Sequence, residues 1–96
     1  MNELRFEWDD EKAKSNFRKH GVFFDEAATV FYDPLYIEDY DDAHSDEDRF
    51  KLIGKSSNGN LLVVIYTDRA GTIRIIGTRQ TTTNERRYYE SENRST

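Results

Sequence analysis

The chain has 96 residues, no cysteine, and fourteen lysines and arginines against nineteen aspartates and glutamates, for a net charge of −5. That makes one small domain and excludes a disulfide framework or a thiolate metal centre. The longest apolar run, Leu61 to Tyr66, is too short for a bilayer, and no segment reads as a signal peptide, so the cytosol is the expected compartment. The charge is unevenly divided: residues 1–48 hold fifteen acids and five bases, residues 49–96 four acids and nine bases. A uniformly acidic protein would repel nucleic acid; the basic second half of this one can still offer it a face.

Leu4 to Trp8 alternates as a short strand. Asp9 is placed to cap a helix running to about His20, with Asp10 and Glu11 at its positive end and Gly21 at its left-handed close. A second helix is predicted over Phe24 to Phe31, stopped by Asp33-Pro34. Leu35 to Tyr40 alternates weakly, as an edge strand, and Asp39 to Asp48 reads as an acidic loop. Arg49 to Lys55 alternates clearly, with Phe50 and Leu52 on one side and Arg49, Lys51 and Lys55 on the other. Asn58-Gly59 is a hairpin turn, and the apolar run Leu61 to Thr67 is a central strand buried on both faces. After a turn at Asp68 to Gly71, Thr72 to Thr78 forms the next strand, and Thr82 with Glu85 makes a capping box for the last helix. The order β-α-α, antiparallel meander, α is an α+β fold: a curved sheet with helices packed on it, and a frayed tail after about residue 90.

The chemistry concentrates late in the chain. Arginine presents a planar fork of donors that matches a phosphate. Arg74 and Arg79 are five apart, so an ideal strand sends them to opposite faces. A bulge at Gly77 would reset the alternation and aim both one way. The bland alternative is one surface arginine and one salt bridge to the acidic half. Arg49, Lys51 and Lys55 form either a solvated outer face or a phosphate-binding one. Tyr88 and Tyr89 point about 100° apart on a helix, so one packs on the sheet and the other is available to a base or phosphate. His20 suits the negative end of its helix, which is the structural reading; proton transfer is the other. His44 lies among Asp42, Asp46 and Glu47, which would raise its pKa. The acids from Asp39 to Asp48 lack the central glycine and closing glutamate of a calcium loop. They fit an acidic face for a basic partner better than a metal site, and no cofactor is expected.

Several short motifs, in order, resemble the BrnT toxin family of type II toxin–antitoxin systems. They are Phe6-Glu7-Trp8-Asp9, Lys19-His20-Gly21-Val22 and Glu26-Ala27; then His44-Ser45, Glu47, Arg49 and Gly54; then Leu62-Val63-Val64, Arg69, Arg74-Ile75-Ile76, Arg79, and Glu85-Arg86 with Tyr89. They span residues 4–90. The chain departs from the family at Phe23, where serine is frequent, and at Gly77-Thr78, where Ser-Ala is frequent. The resemblance implies a RelE-like fold and a metal-free ribonuclease that shuts down translation. It also implies a BrnA-like antitoxin with a ribbon-helix-helix part, a heterotetrameric complex, and contact with operator DNA only through the antitoxin.

By analogy with the RelE group, Arg79 and Arg74 are expected to hold the phosphate, and Tyr89 or His20 to handle a proton. Arg49, Lys51, Lys19, Arg69 and Arg86 are expected to assist in RNA binding. Two other readings stay open: a catalytically inactive RelE-like scaffold that only binds a partner, and an acidic binding module for a basic protein.

Overall fold

The computed structural model describes residues 3–41 and 47–94; His44 lies outside them. Five strands form one sheet in the order β1-β5-β4-β3-β2. They are β1 (Arg5–Glu7), β2 (Ile37–Asp41), β3 (Arg49–Lys55), β4 (Leu61–Arg69) and β5 (Thr72–Gln80). The helices are α1 (Asp10–His20), α2 (Phe24–Thr29), which tightens into a 3-10 turn at Val30–Tyr32, and α3 (Thr83–Glu92). The β2-β3-β4-β5 meander is antiparallel, as alternation and the turn residues predict. The sheet is nevertheless mixed, because β1 pairs with β5 in parallel. Three residues of alternation carry no information on which strand they will join, or in which direction.

The helix ends follow local chemistry. Asp9 accepts the Lys12 N–H at 3.0 Å, and Gly21 closes α1 with φ +71°. Thr82 and Glu85 complete the predicted capping box of α3.

The sheet divides the apolar residues into two cores. Under α1 and α2, Val22, Phe24, Ala27 and Val30 pack on Leu52, Leu62, Val64, Tyr66 and Ile75. On the other face α3 brings Tyr89 against Ile53, Leu61 and Val63. The strands β3 and β4 are buried on both faces at this level, and burying each large aliphatic side chain contributes roughly 1.5–3 kcal/mol.

Two polar devices fix the frame. β1 covers β5 only from Thr72 to Arg74. Further along, the Asn16 side chain acts as a substitute strand: its amide donates to the Thr78 carbonyl at 2.9 Å and its oxygen accepts the Thr78 N–H at 3.1 Å. That blocks an otherwise open edge and ties α1 to β5. Asp33 accepts from the N–H groups of Leu35 and Lys55 and from the Tyr89 hydroxyl. Gly54 is what lets it come close, since a Cβ there would lie 2.9 Å from Val30 Cγ1 and 3.0 Å from Asp33 Oδ2.

Candidate functional site

The sheet face away from α1 and α2 carries cations where α3 leaves it uncovered. On β3, Phe50 and Leu52 join the helix-covered core, which turns Arg49 and Lys51 to the opposite face. On β5, Ile73 and Ile75 do the same for Arg74. The register of β5 then shifts opposite Ile65/Tyr66, with Gly77 facing Ile65, Ile75 facing Tyr66, and Ile76 left as the extra residue. This bulge resets the alternation. Arg79 pairs with Val63 and Arg74 with Thr67, which share one face of β4, as does Arg69 at the strand's end. Arg49, Lys51, Arg69, Arg74 and Arg79 therefore project from one side of the sheet.

Glu85 organises two of them. Its carboxylate accepts Arg79 Nη1 at 2.8 Å and Nη2 at 2.9 Å, Lys51 Nζ at 2.8 Å and the Thr82 N–H at 2.8 Å. The Arg79 hydrogen bonds hold its carboxyl well below the usual carboxylate range, although burial pushes the other way. Arg79 is raised in return, chiefly by the same hydrogen bonds. Glu85 is thus a fixed negative charge that spreads two cations across the sheet rather than a proton donor. Arg74 is held more loosely, at 3.1 Å from Glu7 on the neighbouring β1, and Arg69 lies 3.4 Å from Glu47. The Nε of Arg49 is shut off from solvent and has no partner among the described residues. Asp41 stands opposite Arg49 in the β2–β3 register.

The two tyrosines of α3 separate, as adjacent helix positions must. Tyr89 is 5% exposed and donates to Asp33 Oδ2 at 2.7 Å; burial, and then that bond, push its hydroxyl up to about 12. It is a core residue and is not brought to the cations. Tyr88 is exposed, and its hydroxyl is raised by the Asp39 carboxylate, to which it hydrogen-bonds. Asp39 in turn pairs in register with Lys51. Tyr88 is therefore the phenol that stands beside the basic face. His20 and Lys19 sit exposed in the last turn of α1, in the helix layer on the other side of the sheet. Arg86 is exposed on α3, next to Glu85. The sequence places four of these five cations on strands and Arg69 in the turn at Asp68 to Gly71; in the structure Arg69 is the last residue of β4. Local spacing marks Glu85 as a capping residue and not as the partner of Arg79 and Lys51; the salt bridge to the acidic half that the sequence leaves open is made by Arg74, to Glu7.

The chain is similar in fold to the ribonuclease toxin BrnT of Brucella abortus, known from a crystal structure. The TM-score is 0.62 at 19% sequence identity, over 84% of this chain and 100% of that one. At that identity the likeness speaks for the fold. No curated protein sequence matches the chain. The profile of one family, described as the ribonuclease toxin, BrnT, of type II toxin–antitoxin system, matches residues 8–85.

Proposed function

The chain belongs to the BrnT family of ribonuclease toxins of type II toxin–antitoxin systems, and on that premise we propose that its basic sheet face cleaves RNA without a metal and so inhibits translation. The observation that supports this reading is the bulge in β5, which sets Arg74 and Arg79 on the same face as Arg49, Lys51 and Arg69. In such a cleavage the 2′-hydroxyl gives its proton to solvent water, its oxygen bonds to phosphorus as the bond to the 5′-oxygen breaks, and negative charge grows on the phosphate oxygens in between. Cations already in place for that charge contribute several kcal/mol.

Arg49 and Arg74 supply donors to the phosphate. Arg79, its fork shared with Glu85, offers its remaining N–H groups and its charge. Lys51 adds a point charge between them. Tyr88 is the phenol that gives a proton to the departing 5′-oxygen, the part that analogy with the RelE group suggested for Tyr89 or His20. The partner in this reading is a BrnA-like ribbon-helix-helix antitoxin, through which alone operator DNA is contacted, and the compartment is the cytosol.

The filled fork of Arg79 favours a second reading, a scaffold that binds a partner and cuts nothing. The purified chain incubated with single-stranded RNA in a chelating buffer separates the two. The ribonuclease reading expects cleavage by the wild type and a loss of about 100- to 1000-fold in Arg79→Ala. A folded wild type that leaves the RNA intact would favour the scaffold.

A further inference from the structure

On the outer side of the helix layer, Phe17 of α1 and Phe23 stack at 4.1 Å between ring centroids and 17° between planes. Yet they are 40% and 58% exposed. With Ala13 they form the floor of a depression of about 290 Å³, with Lys14 and Arg18 along its α1 side and Asp25 across from them. Two further facts set this patch apart from an incidental exposed ring. Phe23 occupies the N-cap position of α2 and makes no side-chain cap bond, whereas Asp9 and Thr82 cap the other two helices with theirs. The position that favours a small polar side chain thus carries a large apolar one, which gives up helix stability and enlarges the surface patch. In addition Lys14 and Arg18 are one helical turn apart on α1, so they present a pair of positive charges parallel to the apolar floor.

We infer that this groove is a docking site for an acidic amphipathic helix of the antitoxin, with an apolar side chain seated on the Phe17–Phe23 pair and carboxylates at four-residue spacing over Lys14 and Arg18. Helix-in-groove recognition uses this combination of an apolar floor and charge along one wall. The inference rests on the reading that an antitoxin holds the chain. The groove and the basic sheet face lie on opposite sides of the sheet, so binding and cleavage are separable by substitution.

The test titrates the purified product of the adjacent reading frame into wild type, Phe23→Ser and the double variant Lys14→Glu/Arg18→Glu. RNA cleavage by each free variant is read separately. Phe23→Ser restores a capping side chain, so the free protein is expected to melt no lower than wild type. Its complex is expected to weaken about tenfold or more, the weight of one buried aromatic anchor. The charge-reversed variant, which leaves the apolar floor intact, is expected to weaken the complex at low salt and less so at high salt. Both are expected to cut RNA as wild type does, if wild type cuts. Unchanged affinity in both variants, or no complex with wild type, overturns the inference. So does a wild type that self-associates in sedimentation through Phe23, which would make a second copy the occupant. A cleavage defect in Phe23→Ser would overturn it too, by assigning the patch to RNA.

Discussion

Two carboxylates on opposite faces of the same sheet behave in opposite ways. Glu38, on β2, belongs to the face covered by α1 and α2, where the Tyr66 hydroxyl donates to it and burial raises its pKa. Glu85 leans over the other face, where hydrogen bonds from Arg79, and then Lys51, lower its own. The first face is built of rings: Phe6, Phe31, Tyr66, Phe50 and Tyr40 form a chain of aromatic contacts 4.9–5.7 Å apart across the sheet. Charge there meets little that stabilises it. The second face keeps five cations and tolerates them because they are partly exposed and acids stand among them: Glu7, Glu47 and Glu85 in ion pairs, and Asp39 and Asp41 opposite Lys51 and Arg49 in the strand register. Both faces bury apolar side chains, the larger cluster under α1 and α2, and the second face carries the cations as well.

Substitutions that exchange these roles test the division. Glu85→Gln is expected to have the largest effect of three. It leaves Arg79 and Lys51 without their shared counter-charge at a site where Glu85 itself is 13% exposed. We expect a stability loss of about 1–3 kcal/mol at pH 7 and weaker RNA binding, because the two cations are no longer held apart, with KM rising more than kcat falls. Since the folded pKa is lowered, the stability contributed by Glu85 is present above its unfolded value of 4.5 and fades as pH falls below it. Thermal melts of wild type and variant should therefore converge in acid. A gap that persists unchanged at low pH would contradict this.

Tyr89→Phe comes next. It removes one hydroxyl donor to Asp33, for about 1 kcal/mol, and should leave the cleavage rate alone; a rate loss with retained stability would return Tyr89 to the reaction.

The smallest effect is expected from Glu38→Gln, and its sign is reversed. A raised carboxyl contributes stability below its unfolded pKa and loses it as pH rises through the folded one. The amide should then stabilise at pH 7, by less than about 1 kcal/mol given the partial exposure, and give no gain near pH 4. Destabilisation at pH 7 would show that the Tyr66 bond outweighs burial.

What the sequence disclosed tracks how locally each feature is encoded. Asp9, Gly21, Thr82 and Glu85 mark helix ends through bonds within four residues, and their helices lie where expected. The alternation of Phe50 and Leu52 with Arg49 and Lys51 sorted β3 correctly between the faces. Gly77 signalled that a bulge was available, and the bulge is there, with its extra residue at Ile76. The features that stayed hidden depend on contacts far along the chain. The direction of β1 is set by β5, some 67 residues away in the Glu7–Arg74 pair. The choice between Tyr88 and Tyr89 is set by Asp33, 56 residues away. The second helix was expected to reach Phe31 as α-helix; it tightens from Val30, where the Val30 carbonyl takes the Asp33 N–H just before Pro34.

The most direct test sets one face against the other. Purified wild type, Arg49→Ala/Arg74→Ala and Lys14→Ala/Arg18→Ala are compared for cleavage of one single-stranded RNA at fixed salt. Each variant removes two positive charges, so net charge is matched and only position differs. The account predicts a loss of about 100-fold or more for the sheet-face pair and wild-type rates for the helix-face pair. Equal losses in the two variants, or an undiminished rate in Arg49→Ala/Arg74→Ala, would contradict it.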